Sequence, residues 1–233
     1  MRLTRRPWAN AFTLLFLLDG VADLTGLATG NEGWRFVTKP ALMPLLLLST
    51  LLRLPLPNAA GMLLIFALFY SAAGDVELLL PGDPSFTSGT IWFAFAQIAY
   101  IFAFAKMAPG VGLVQRRPWL ALPYVAAWLA GVAVVWPHLG ALRAVVVPYS
   151  ALVTLMAVAA LNLFGRIDRR DALLVAAGAV LFLFSDTNLG LSRFVPSLAP
   201  PFAPFVVMLA YIVAQALIAA GLVRAQQKTA RIP

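Results

Sequence analysis

Polar and charged residues punctuate this chain, and the stretches between them are apolar on every face. Segments 43–52 and 172–184, for example, show neither the two-residue alternation of a half-buried strand nor the single stripe of a helix lying on a water-facing core. A helix that is hydrophobic all round belongs in lipid or deep inside a large protein. Scanned for stretches long enough to cross a bilayer, about 17–25 residues, the chain predicts spans at residues 7–28, 39–54, 58–80, 86–106, 119–136, 143–164, 169–193 and 201–224. The second is the shortest of the eight.

Composition removes the deep-core alternative. Of 233 residues, 62% are hydrophobic and 11% charged, with a mean hydropathy of +0.89, against roughly 45–50% apolar residues in an average soluble domain. A 25.0 kDa chain has too little interior to hide that excess, so much of it must face lipid. The expected fold class is all-α: a polytopic membrane protein of eight transmembrane helices, forming a single domain over residues 1–233. Residues 1–30 also have the outline of a signal peptide, but Asp19 interrupts the apolar stretch and no small-x-small cleavage site follows, so the segment is read as the first span.

The net charge of +8 would suggest nucleic acid in a soluble protein, but membrane proteins gather Lys and Arg in cytoplasmic loops. With the amino terminus in the cytoplasm, thirteen of the seventeen basic residues fall on that side, and only Arg35, Lys39, Arg143 and Arg193 fall outside. Removing one span would put the basic clusters at 116–117 and 166–170 on opposite sides. Eight spans with both termini cytoplasmic fit this bias, and no nucleic-acid partner is needed to explain it. The Ala, Leu and Arg richness points to a bacterial inner membrane. Oligomeric state is not legible.

Ionisable groups cost about 2.5–3.5 kcal/mol each near the middle of a membrane helix, so the few acids beyond the first turn of the spans carry the information: Asp19, Asp23, Asp75, Glu77 and Asp186. A lone acid near a helix end is most simply a partner for Arg35, Lys39 or Arg193. Asp75 and Asp186 lie on separate outward-running helices and have hydroxyl and amide neighbours, which suits a site better than a staple. Lys39, Ser71, Gln97, Tyr100, Tyr149, Ser185, Tyr211 and Gln215 converge on the same outward-facing region. Ser71 and Asp75 share a helix face at i,i+4, so the Ser71 hydroxyl is expected to donate to the Asp75 carboxylate. Glu77 is read as interfacial. There is no cysteine, and the one histidine, His138, falls in a predicted outer loop away from these residues. Asp75 and Tyr100 are 25 residues apart, as are Asp186 and Tyr211, which raises a parallel four-helix repeat.

These residues come with recognisable surroundings. Lys39-Pro-Ala-Leu-Met-Pro44, Ser71-Ala-Ala-Gly-Asp75 and Gly178-Ala-Val-Leu-Phe-Leu-Phe-Ser-Asp186 occur in that order, together with Phe86-x-x-Gly89-x-x-x-Phe93-x-x-x-Gln97-x-x-Tyr100, the Pro148-Tyr149 pair and Tyr211-Ile-Val-Ala-Gln215. From the second span to the eighth the chain resembles the YhhN/TMEM86 lysoplasmalogenase family. One departure is that the family usually carries histidine where this chain has Gln97, which an amide cannot replace as an acid or base.

The resemblance implies hydrolysis of the vinyl ether bond of lysoplasmalogens to a fatty aldehyde and a glycerophosphoethanolamine or glycerophosphocholine, with a lysophospholipid substrate drawn from the bilayer and no cofactor. Two carboxyl groups suffice for that chemistry, one protonating the enol ether and one stabilising the oxocarbenium-like centre and activating water. Asp75 and Asp186 are the catalytic candidates, their roles unassigned between them. Lys39 is a candidate for the substrate phosphate or for keeping one aspartate ionised, and Arg193 is a second candidate for the phosphate. Ser71, Gln97, Tyr100, Tyr149, Ser185, Tyr211 and Gln215 are candidate substrate-binding residues. Two other enzyme readings stay open, a hydrolase using Asp75, Asp186 and Glu77 as hard metal ligands and a family member acting on a different lysolipid. A proton-coupled carrier is the reading from outside enzymology.

Overall fold

A computed structural model describes residues 5–55 and 58–230. Arg2, Arg231 and the Arg5 side chain, part of the basic bias, lie outside the described residues. Among those described, nine α-helices and several short 3-10 turns account for the regular structure: α1 Arg5–Thr29, α2 Glu32–Arg53, α3 Ala59–Glu77, α4 Asp83–Met107, the single turn α5 Leu113–Arg116, α6 Leu122–Val135, α7 Arg143–Ala160, α8 Arg169–Phe194 and α9 Ala203–Thr229. All but α5, with flanking turns added to α6 and α7, are long and apolar enough to span a bilayer. The all-α, eight-span, multi-pass fold class stands.

Two boundaries differ from the sequence expectation. The second span begins at Glu32 rather than residue 39, because Asn31 caps it by accepting from the Trp34 N–H. Pro40 and Pro44 lie inside that helix, where they remove two N–H donors but do not end it, as membrane helices allow. At the other end, the eighth span does not stop at residue 224. The helix α9 continues to Thr229, and Arg224 and Lys228 both reach the buried carboxylate of Asp171 on α8, at 2.8 and 2.7 Å.

Three antiparallel hairpins, α1 with α2, α3 with α4 and α8 with α9, form the best-packed parts of the bundle, and α7 joins them through α4 and α8. Water does not drive helices together inside a bilayer, so close backbone approach and interhelical hydrogen bonds must do so. The α8–α9 contact shows this. A Cβ on Gly178 would lie 2.7 Å from the Ala214 carbonyl oxygen, and one on Gly221 would lie 2.8 Å from the Asp171 carbonyl oxygen. Ser185 adds a hydrogen bond to the Val207 carbonyl, 2.9 Å. On the α1–α2 contact, Ser49 and Thr13 pair at 2.7 Å, and Thr38 donates to Asp23 at 3.0 Å. The outlier is α6, in which no residue is buried.

The two ends of the bundle differ. Both described termini lie at one end, where Arg53 on α2 donates to Asn10 and Thr13 on α1, Asn58 before α3 bonds Gln226 on α9, and Lys228 pairs with Asp168 and Asp171. The opposite end carries the α1–α2, α3–α4, α6–α7 and α8–α9 turns. His138 is exposed there, in the α6–α7 turn. Gly178→Val is expected to destabilise the detergent-solubilised protein by roughly 1–3 kcal/mol through overpacking. Gly190→Ala, whose methyl would meet nothing within 4 Å, is expected to leave thermal unfolding unchanged, and equal shifts for the two would contradict this view of the α8–α9 contact.

Candidate functional site

At the end opposite the termini the helices enclose a cavity of about 530 Å³. Its wall includes Lys39 from α2, Asp75 from α3, Tyr149 from α7, Ser185 and Asp186 from α8, and Tyr211 from α9. The rest of the lining is largely apolar, with Ala127, Gly131, Val132 and Val135 of α6 along one side and Val146, Val147 and Leu183 nearby. One face of α6 is therefore a wall of this cavity, and its most exposed residues, such as Leu122, Val125 and Leu129, are not in that wall.

Each carboxylate is held from another helix. Asp75, 2% exposed, accepts from the Tyr211 hydroxyl at 2.7 Å and lies 4.0 Å from the Lys39 ammonium. Asp186 is partly buried and accepts from the Tyr149 hydroxyl. The expected Ser71–Asp75 hydrogen bond is not what the structure shows. Ser71 accepts from the Gln215 amide at 3.0 Å, and Asp75 turns instead towards α9, where a phenol is a stronger donor than an aliphatic hydroxyl.

Ser71, Tyr100 and Gln215 form a layer outside the cavity wall. Tyr100 donates to the Gln215 carbonyl oxygen while the Gln215 amide donates to Ser71, so α3, α4 and α9 are tied by one chain of fully buried bonds. Ser185 lines the cavity, but its hydroxyl proton is committed to the Val207 carbonyl. Gln97 is fully buried. It does not line the cavity, and neither its oxygen nor its nitrogen has a hydrogen-bond partner among the described residues.

Aromatic packing fixes Tyr211. Its ring meets Phe93 and Phe182 edge-on, at centroid distances of 5.9 and 5.6 Å, and Phe93 and Phe182 meet each other at 6.3 Å. Gly74 makes this possible, since a Cβ there would lie 2.6 Å from the Phe93 ring. Thus the Gly74-Asp75 pair serves two purposes, close approach of α4 and presentation of the carboxylate.

Two lining residues, Arg35 and Trp128, were not among the site candidates read from the sequence. Arg35 reaches the cavity and pairs with Glu32 at 3.2 Å and with Asp23 at 3.8 Å. Its spacing of four from Lys39 was the available signal. Trp128 of α6 bonds Ser150 at 2.9 Å and lines the cavity, with nothing in the sequence to mark it. Arg193 was foreseen as a basic candidate, but its partners were not: it pairs with Asp83 at the start of α4 and stacks over Phe86, 4.1 Å from the ring centroid. Gly82, at φ 97°, supplies the turn that starts α4 there.

Sequence comparison reaches the same region from another direction. The profile of the YhhN family matches residues 34–222. This chain belongs to the YhhN family. Two proteins named lysoplasmalogenase TMEM86A, from Homo sapiens and Bos taurus, are each 31% identical to it over 168 residues, 69% of this chain and 65% of theirs. The match thus spans just under two thirds of the length of these curated relatives. No solved structure matches the chain. Every candidate from Lys39 to Gln215 falls within the matched residues of this YhhN protein, whereas the whole of α1 and residues 223–229 of α9 fall outside them.

If the Lys39–Asp75 pair acts as a unit, a double-mutant cycle with Lys39→Met and Asp75→Asn, read by thermal unfolding, is expected to give a coupling energy of roughly 0.5–3 kcal/mol. Strict additivity of the two changes would show that Lys39 does not hold Asp75.

Proposed function

We propose that this protein is a membrane-embedded hydrolase of the lysoplasmalogenase type, which cleaves the vinyl ether bond of lysoplasmalogens by paired-aspartate chemistry. The observation that carries the reading is the cavity itself, with two carboxylates from different helices on a wall that is otherwise mostly apolar. An apolar cavity with a few convergent polar groups is the usual form of a small-molecule site. The family relationship supports the substrate class.

The environments of the two acids suggest their roles. Asp75 stands beside the Lys39 ammonium and serves as the carboxylate. Asp186 has the Tyr149 phenol as its hydrogen-bond donor and no cation within ion-pair distance among the described residues. It serves as the carboxylic acid. In the reaction, Asp186 delivers its proton to the β-carbon of the enol ether, and the α-carbon becomes oxocarbenium-like. Asp75 stabilises that cation and takes a proton from the water that adds to it. As the resulting hemiacetal collapses, the Asp186 carboxylate takes its hydroxyl proton and Asp75 gives the proton it took from water to the glycerol oxygen while the C–O bond to glycerol breaks, so the products are a fatty aldehyde and a glycerophospho-base and both aspartates return to their starting states. The logic is that of glycosidase carboxylate pairs, which meet a similar charge in the transition state.

The remaining residues fit this scheme in different ways. Tyr211 and Tyr149 orient the two carboxyls. Gln97 is buried and outside the cavity lining, and its amide cannot serve as an acid or base. Arg193 and Arg35 line the cavity close to the helix ends, where a phosphate would lie, while Lys39 is engaged with Asp75. Ser71, Tyr100 and Gln215 support the wall from behind and Ser185 pins α8 to α9. The apolar α6 side of the cavity takes the alkyl chain. By the distribution of Lys and Arg, the end with the termini faces the cytoplasm and the site opens to the other side, in a bacterium the periplasmic side of the inner membrane.

The test is aldehyde release from the purified, detergent-solubilised protein given lysoplasmalogen, with the saturated alkyl ether analogue as control. Asp75→Asn and Asp186→Asn are each expected to lower vinyl-ether-specific release by roughly 10²–10⁴-fold. Absence of release from folded wild type would overturn the assignment in favour of a different lysolipid or a carrier role. Activity surviving both substitutions would overturn the mechanism alone.

A further inference from the structure

The end of the bundle that carries the termini has a cavity of its own, about 690 Å³, between α1, the last turns of α2 and the last third of α9. Its walls change character along the helices. Phe16, Leu46, Ala216 and Ala220 make an apolar, small-residue surface, and Arg6, Arg53 and Arg224 stand at the level of the helix ends. No acid is among the described residues that line it.

The three guanidinium groups differ in how far they are committed. Arg53 donates to the Ala9 carbonyl, to Asn10 and to Thr13, which makes it a structural tie between α1 and α2. Arg224 meets Asp171 through its Nε, and its side chain is 50% exposed. Its hydrogen bonds among the described residues leave both terminal nitrogens available. Arg6 is exposed on the first turn of α1. Two arginines able to present planar donors, above a strip of alanines on a membrane helix, form a complement to a phosphate with alkyl chains beneath it.

We propose that this cavity binds an anionic phospholipid of the bilayer leaflet at the end with the termini. Arg6 and Arg224 take the phosphate, and the Ala216–Ala220 face of α9 receives the start of an acyl chain. Basic pockets between membrane helices suit such head groups, and the excess of cations with no lining acid favours a lipid with net negative charge over a zwitterionic one. Arg6 and Arg224 both fall outside residues 34–222, the stretch matched by the YhhN family, whereas the Ala216–Ala220 face falls inside it. It lies at the opposite end of the bundle from Asp75 and Asp186 and does not depend on the reaction assigned to them.

Native mass spectrometry of the full chain, titrated with phosphatidylglycerol or phosphatidylcholine of identical acyl chains, tests this directly. Wild type is expected to retain one phosphatidylglycerol per chain, at least about tenfold more tightly than phosphatidylcholine. The double change Arg6→Gln and Arg224→Gln is expected to weaken that binding roughly thirtyfold. Because Arg224 also holds Asp171, two further variants that leave that pair untouched keep the test decisive: Arg6→Gln alone should weaken binding in a salt-dependent way, and Ala220→Trp should block it while leaving every arginine in place. Equal retention of the two lipids by wild type, or phosphatidylglycerol binding unchanged in Arg6→Gln and Ala220→Trp, would overturn the proposal.

Discussion

A carboxylate placed inside a bundle of membrane helices finds little water to bond it, so the protein must supply the partners, and supplying them fixes which helices meet. Asp75 draws its hydroxyl donor from α9 and its cation from α2, and Asp186 draws its donor from α7. A charge-assisted bond of this kind contributes about 1.5–3 kcal/mol, and an unpaired carboxylate in the same place would cost more. The two acids therefore specify contacts between helices far apart in the chain. Lys39 and Tyr149, seen this way, are as much part of the fold as of the site.

The apolar contacts supply the precision that these polar bonds need. Gly74 admits the Phe93 ring, Phe93 packs against Tyr211, and Tyr211 carries the hydroxyl that reaches Asp75. Gly178 brings α9 against α8 at the same time, and Ser185 pins the pair. Chains of close-packed groups transmit small errors in position, so a methyl group added at Gly74 would be felt at Asp75 through the aromatic rings. In contrast, α6 is held mainly by α7 and, apart from Trp128, lines the cavity with small and β-branched residues.

Polarity divides the molecule along its length. The end with the termini is tied across helices by charge pairs and amide bonds, Arg224 and Lys228 on Asp171, Asn58 on Gln226, and Gln227 on the Arg53 carbonyl. The other end carries the cavity with the two carboxylates, and Arg193 and Asp83 pair there where α8 ends and α4 begins. Fastening one end leaves the loops of the other to shape a site.

Much of this was readable from the order of residues. Apolar stretches uniform on all faces can only be membrane helices at this size, so the number of spans, their approximate limits and the segregation of basic residues follow from composition and spacing alone. The scarcity of acids inside those spans was also enough to single out Asp75 and Asp186, because each carries a cost that demands a reason. What spacing could not supply was the partner of each polar group. Periodicity reports which residues share a helix face, and it suggested Ser71 for Asp75 on that ground, whereas the donor is Tyr211, 136 residues away. Whether a polar residue faces the cavity or stands behind its wall, as Tyr100 and Gln215 do, likewise depends on how helices rotate and cross, which is set by Gly74, Gly178 and Gly221 meeting their neighbours in three dimensions. Local sequence determined the helices and their most costly residues, and tertiary packing alone decided which of those residues meet.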